Sequence, residues 1–169
     1  MSNPVIWLTG LPCSGKTTLG LALGTKLLAA GHNVVFLDGD MVRELLSETG
    51  FSKEDRDKHI LRMGQYAAIG SEHYTVICAF VSPYLETRAK VRKMCDNFIE
   101  VWVCCPDKVC EERDTKGMWA QAQEGKIKNF TGLDGPYEAP TNAEVTVLTD
   151  QESAEECVRA ILEKIECPT

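Results

Sequence analysis

Short apolar runs rich in β-branched residues alternate along this chain with stretches whose apolar positions recur at helical spacing. Val5-Ile6-Trp7-Leu8 predicts a buried strand. From Thr17 to Ala30, Leu19, Ala22, Leu23 and Leu27 share one face of a helix, and Gly31 is a natural stop. Val34 to Leu37 predicts a second strand, and a mostly helical stretch follows from Met41 to about His73. Thr75 to Val81 is apolar throughout, the mark of a central strand buried on both faces. Ser82-Pro83 then has the form of an N-cap and first turn, so a helix is expected to open there. Phe98 to Cys104 and Val145 to Leu148 predict two more strands, and Ser153 to Ile165 a closing amphipathic helix. This alternation predicts an α/β fold: a parallel sheet with helices on both faces. Between Cys105 and Ala143 the pattern breaks into a short charged helix and loops holding Gly and Pro. So long an irregular stretch in a compact domain suggests a lid over roughly 106–143.

The length of 169 residues fits one domain over 1–169, and 44% hydrophobic with 25% charged residues argues against a disordered or fibrous chain. The net charge of −7 argues against nucleic acid as a partner, since phosphate neutralisation needs a basic face. An anionic ligand must then be met by backbone N–H groups and a few well-placed cations. No apolar run approaches the roughly 18 residues of a membrane span, so no membrane association is expected. Met1-Ser2-Asn3-Pro4 lacks the basic and apolar regions of a signal peptide. The eight cysteines form no C-x-x-C pair and have no histidine at zinc-finger spacing; several sit in apolar runs, as reduced cysteines used as small hydrophobes do. A cytoplasmic location is expected.

Gly10-Leu11-Pro12-Cys13-Ser14-Gly15-Lys16-Thr17 fits G-x-x-x-x-G-K-[ST] at every fixed position, after a strand and at the start of a helix. Its glycines let the backbone curl until successive N–H groups point at phosphate oxygens, and the helix adds its positive end. Lys16 supplies a charge for the β- and γ-phosphates, and the Thr17 hydroxyl can ligate Mg²⁺. With Thr18 behind them, these residues form the expected ATP-binding loop.

Asp38-Gly39-Asp40 follows the second strand, where carboxylates project into the ligand crevice of an open sheet. Asp38 ends four apolar residues as a metal-shell carboxylate does, and pairs with Thr17 as a candidate metal site. One of Asp38 and Asp40 would hold Mg²⁺ or its water, and the other would accept a proton from an attacking hydroxyl. Which does which stays open, and Asp40 could also serve as cap of the helix from Met41. Arg43, Arg56 and Arg62 with Phe51, and Lys128 with Phe130, pair cations with aromatics in an acidic chain. That combination suits a second ligand both planar and anionic, such as a nucleotide. Arg113 lies in the irregular segment, from which it could reach a transferring phosphoryl group on closure.

Together these stretches resemble the adenylylsulfate kinase family, from Ile6 to about Val147. The matching residues are the phosphate loop, Leu37-Asp38-Gly39-Asp40 with Arg43, Gly50-Phe51-Ser52 with Asp55-Arg56, and Ala79-Phe80-Val81-Ser82-Pro83-Tyr84. Later come Cys110-Glu111-Glu112-Arg113-Asp114 with Lys116-Gly117, and the most specific stretch, Lys128 to Asp134 with Pro136 to Pro140. The resemblance implies a P-loop kinase fold and magnesium-dependent transfer from ATP to the 3′-hydroxyl of adenosine 5′-phosphosulfate. It implies that Phe51 and Phe130 sandwich the acceptor adenine while Arg43, Arg56 and Lys128 meet its phosphosulfate. A homodimer is implied too, and a sulfurylase partner is possible. Ser82 stands where the family has a proposed phosphoserine intermediate; a helix N-cap bonding the acceptor explains its place equally well. The chain departs from the family at His59 and Leu61, where an amide and an arginine are usual, and at Trp119, usually tyrosine. His59 can still donate a hydrogen bond to the acceptor. Two other readings of the loop are a kinase for a nucleoside, nucleoside monophosphate or sugar acid, and a nucleotide-binding module without turnover. Lys16, Thr17, Asp38 and Asp40 together speak against the second.

Overall fold

The computed structural model describes residues 2–46, 50 and 52–166. The apolar runs form five parallel strands: β1 (Val5–Thr9), β2 (Val34–Asp38), β3 (Thr75–Ala79), β4 (Phe98–Cys104) and β5 (Val145–Leu148). Their order is β2-β3-β1-β4-β5. The middle place therefore belongs to β1, not to β3, which lies between β1 and β2; both are buried on either face and read alike in sequence. The register aligns Asp38 with Ala79 and Leu8 with Ala79, so the carboxyl ends of three strands finish at one level.

Side chains alternate across the sheet. Ile6 and Leu8 face α1 (Lys16–Ala29) and α7 (Ala154–Glu166), in a core with Leu19, Leu23, Leu27, Val158 and Ile161. Val5 and Trp7 face the other way, into a core with Ile60, Met63, Ala67 and Val91 from α3 (Lys53–Gly70) and α4 (Leu85–Arg92). Helices thus cover both faces, as the alternation predicts.

Three elements differ from the sequence expectation. The stretch after β2 is two helices, α2 (Gly39–Leu46) and α3, because Ser52 starts α3 afresh. Its side chain accepts from the Asp55 amide while the Asp55 carboxylate accepts from the Ser52 amide, a capping box. Strand β3 stops at Ala79: Thr9 Oγ1 donates to the Val81 carbonyl at 2.8 Å, outside the ladder. Ser82 is not an N-cap. It adopts φ 39°, α4 begins only at Leu85, and the Leu85 amide donates to Glu138 Oε2 at 2.6 Å. A carboxylate brought from 53 residues downstream does the capping expected of the serine.

The 106–143 segment holds two short helices rather than one, α5 (Asp107–Arg113) and α6 (Met118–Gln123). Cys110, Trp119, Ala122 and Phe130 form a third apolar cluster with Cys105 and Leu11. The Asp114 carboxylate accepts from the amides of Trp119 (3.1 Å) and Ala120 (3.0 Å), and Asp134 accepts from those of Asn129 (2.8 Å) and Phe130 (2.6 Å). The described cysteines are free, and five of them are buried. Among the described residues no helix is long and apolar enough to cross a membrane.

Candidate active site

A cleft of about 900 Å³ opens over the carboxyl ends of β1, β2 and β3. The chain leaves β1 at Thr9 and curls back before α1. Gly10 is required by close approach, since a Cβ there would lie 2.5 Å from the Val103 carbonyl oxygen. Cys13 (φ 65°) and Gly15 (φ 105°) supply the left-handed turns. Pro12, Cys13, Gly15, Lys16, Thr17 and Thr18 line the cleft, whereas Leu11 and Ser14 are buried beneath the loop and support it.

Lys16 is folded into the loop that precedes it. Its Nζ donates to the carbonyls of Gly10 (3.0 Å) and Leu11 (2.6 Å). Burial pulls its pKa down to about 8, against the pull of Cys110, Asp40, Cys13 and Asp38.

The two aspartates separate clearly. Asp38 is buried: its Oδ2 accepts from Thr17 Oγ1 at 2.6 Å, and its Oδ1 accepts from the amides of Asp40 (3.0 Å) and Met41 (3.3 Å). The cap of the helix after β2 is therefore Asp38, not Asp40. The Asp40 carboxylate is 61% exposed at the cleft and forms an ion pair with Lys116 of the 106–143 segment. That contact holds the Lys116 ammonium in its charged form more firmly, chiefly through its hydrogen bond to Asp40. Among the described residues no three His, Cys, Asp or Glu gather as a metal cage. The hydroxyl and carboxylate of Thr17 and Asp38 are oxygen donors of the kind a magnesium ion takes when it also binds phosphate.

The opposite side of the cleft carries Arg43, Arg56, His59, Ser82 and Phe130. Arg43 Nη1 donates to the Gly50 carbonyl at 3.0 Å, and Arg56 Nη2 to the Asn129 carbonyl at 2.7 Å. His59 is 3% exposed and meets the Phe80 ring edge-on at 5.8 Å. Phe130 packs edge-on against Trp119 at 5.1 Å. Lys128 is exposed and is not brought to the cleft with the rest. Phe51 lies outside the described residues. Arg113 lines the cleft near the Gly10–Thr17 loop and is tied down: Nη2 donates to the Thr149 carbonyl at 2.6 Å and Nη1 to Thr149 Oγ1 at 3.3 Å. Thr149 Oγ1 in turn donates to the Ser14 carbonyl at 2.7 Å, so Arg113 braces the phosphate loop from below.

Sequence reasoning misses several residues that shape the site. The Trp7 indole N–H donates to Ser82 Oγ at 3.0 Å. Tyr137 places its hydroxyl 3.0 Å from Thr9 Oγ1, and burial pushes its pKa up to about 12. Arg88 is buried and bonds Glu100, and Arg92 pairs with Glu100 and Glu144. These partners lie far apart in sequence, and no spacing announces them.

The family model described as adenylylsulphate kinase matches residues 2–148. An adenylyl-sulfate kinase of Microcystis aeruginosa is 47% identical over 162 residues, covering 95% of this chain and 90% of that protein. One of Rippkaea orientalis is 48% identical over 163 residues, with coverage of 95% and 90%. The structure of the Mycobacterium tuberculosis APS kinase CysC in complex with AMPPNP and APS superposes with a TM-score of 0.93 at 34% identity, over 98% of this chain and 99% of that one.

Proposed function

The chain belongs to the adenylylsulphate kinase family, and from that premise we infer that it transfers the γ-phosphoryl group of ATP to the 3′-hydroxyl of adenosine 5′-phosphosulfate. The products are 3′-phosphoadenosine 5′-phosphosulfate and ADP. The observation that carries this reading is one cleft with two unlike sides. A curled loop with a buried lysine stands on one, and arginines, a serine turn and a phenyl ring on the other. Each relative's name or ligand pair fits such a two-nucleotide site.

The roles follow from chemistry. Loop amides and Lys16 bind the β- and γ-phosphates, with Lys16 leaving the Gly10 and Leu11 carbonyls for phosphate oxygens that bear far more charge. Thr17 and Asp38 would hold magnesium, which when bound neutralises charge on the phosphates. Asp40, exposed and free of capping duty, accepts the proton of the 3′-hydroxyl. Arg43, Arg56 and His59 orient the acceptor, and Phe130 offers it an apolar surface. Arg113 acts by bracing the loop rather than by touching the transferred group. The 106–143 segment closes as a lid, led by Lys116. In this reading the enzyme works as a cytoplasmic homodimer.

A coupled assay for ADP against a panel of acceptors tests the reading. Turnover with adenosine 5′-phosphosulfate is expected. Turnover only with a nucleoside monophosphate or a sugar acid would overturn the acceptor assignment, and ATP binding without turnover would overturn catalysis.

A further inference from the structure

The acceptor side of the cleft is held by a side chain that does not line it. Arg88 of α4 is 2% exposed. Its Nε donates to Glu100 Oε1 at 2.7 Å, its Nη1 to the Ser82 carbonyl at 2.6 Å, and its Nη2 to the Glu138 carbonyl at 2.6 Å. One planar group thereby joins α4, β4, the turn after β3 and the returning segment of Tyr137 and Glu138. The same guanidinium lies over the Tyr137 ring, 5.8 Å from its centroid.

The charges around it balance. Glu100 faces Arg88 and, at 3.2 Å, Arg92, and Arg92 meets Glu144 at 2.7 Å. Two arginines and two glutamates leave no buried charge uncompensated, the condition for keeping such a network under the sheet. Ser82 needs the support. At φ 39° a residue with a side chain is strained, and strain persists only where surroundings over-determine it. Arg88 fixes its carbonyl and Trp7 its hydroxyl, while Thr9 fixes the preceding carbonyl.

We propose that Arg88 is a positioning residue for the acceptor: it sets the Ser82–Pro83 wall of the cleft and governs acceptor binding without touching either substrate. A lysine cannot replace it, because three acceptors in different directions require the forked guanidinium.

The inference rests on the acceptor lying at the Ser82 side, as read above. Its test is steady-state kinetics of the full chain carrying Arg88→Lys and Arg88→Met, with melting curves alongside. The KM for adenosine 5′-phosphosulfate is expected to rise about tenfold or more in both. The KM for ATP and the Kd of a non-hydrolysable ATP analogue should stay within about twofold. If either variant fails to fold, Thr9→Val reads the same wall through a second of its three anchors and is expected to raise only the acceptor KM, several-fold. Donor and acceptor constants moving together, full rescue by lysine, or an unchanged acceptor KM in folded variants would each overturn the proposal. Turnover by the unaltered chain decides the functional reading, and only variant-to-wild-type ratios decide the role of Arg88, so the two fail separately.

Discussion

The indole N–H of Trp7, on the central strand, donates a 3.0 Å hydrogen bond to the hydroxyl oxygen of Ser82 in the turn after β3. Both residues are buried, and Ser82 Oγ lies 3.3 Å from the Phe80 carbonyl, to which it donates. A hydroxyl that accepts from an indole N–H and whose proton points at a carbonyl rather than at a general base is a poor nucleophile. Ser82→Ala should keep kcat within about tenfold while stability falls by about 1–3 kcal/mol, because the Trp7 N–H is left without its acceptor. Melting curves and steady-state rates check this. A fall to the level of a phosphate-loop knockout would restore the covalent relay.

Lys16→Ala should cut turnover by a factor on the order of 10² or more, with the fold intact by circular dichroism. The lysine also sets a pH signature. Burial lowers its pKa to about 8 in the free chain, and bound phosphates would raise it. Above pH 8 the free lysine is neutral and donor binding must take up a proton. Affinity for a non-hydrolysable ATP analogue should therefore be flat below that pH and weaken by up to roughly tenfold per unit above it. Calorimetry from pH 7 to 9.5 reads the slope, and a flat profile would contradict the lowered pKa of Lys16.

Asp38 and Asp40 should separate by stability. Asp38 caps α2 and holds Thr17, so Asp38→Ala is expected to cost about 1 kcal/mol, roughly 2–4 °C in Tm, and to raise the magnesium concentration needed for activity. Asp40 is exposed and its ion pair with Lys116 contributes little. Asp40→Ala should leave Tm nearly unchanged and lower kcat by about 10²-fold. Melting curves with a magnesium titration distinguish the two, and the opposite pattern would exchange their roles.

Gly132 sits at φ 99°, and a Cβ there would lie 2.8 Å from the Trp119 ring. Gly132→Ala should displace the ring that packs on Phe130, change tryptophan fluorescence, and cost about 1–2 kcal/mol through backbone strain alone. Unaltered fluorescence and Tm would show that the turn adapts freely.

What was legible in the sequence is what local chemistry dictates. The phosphate loop follows from glycine spacing, Asp38 from its place at a strand end, and the sheet from alternating apolar runs. The start of α4 departs from the local signal because Ser82-Pro83 has the form of a cap, while the carboxylate that caps the helix, Glu138, arrives from a distant loop. Nothing near Arg88 in sequence reveals that three partners converge on it. Lys128 shared the cation-plus-aromatic pattern of Phe130, yet only the ring turns inward. Trp119 fills the cluster with Leu11 and Phe130.

In the proposed reading Leu11 belongs to the turn that meets the donor and Phe130 to the surface that meets the acceptor, and both sit in one apolar cluster. A shift in either is felt by the other through close-packed side chains. Where occupancy of one half biases the other, thermodynamic reciprocity makes the bias mutual: whatever factor the first nucleotide lends to the affinity of the second, the second returns.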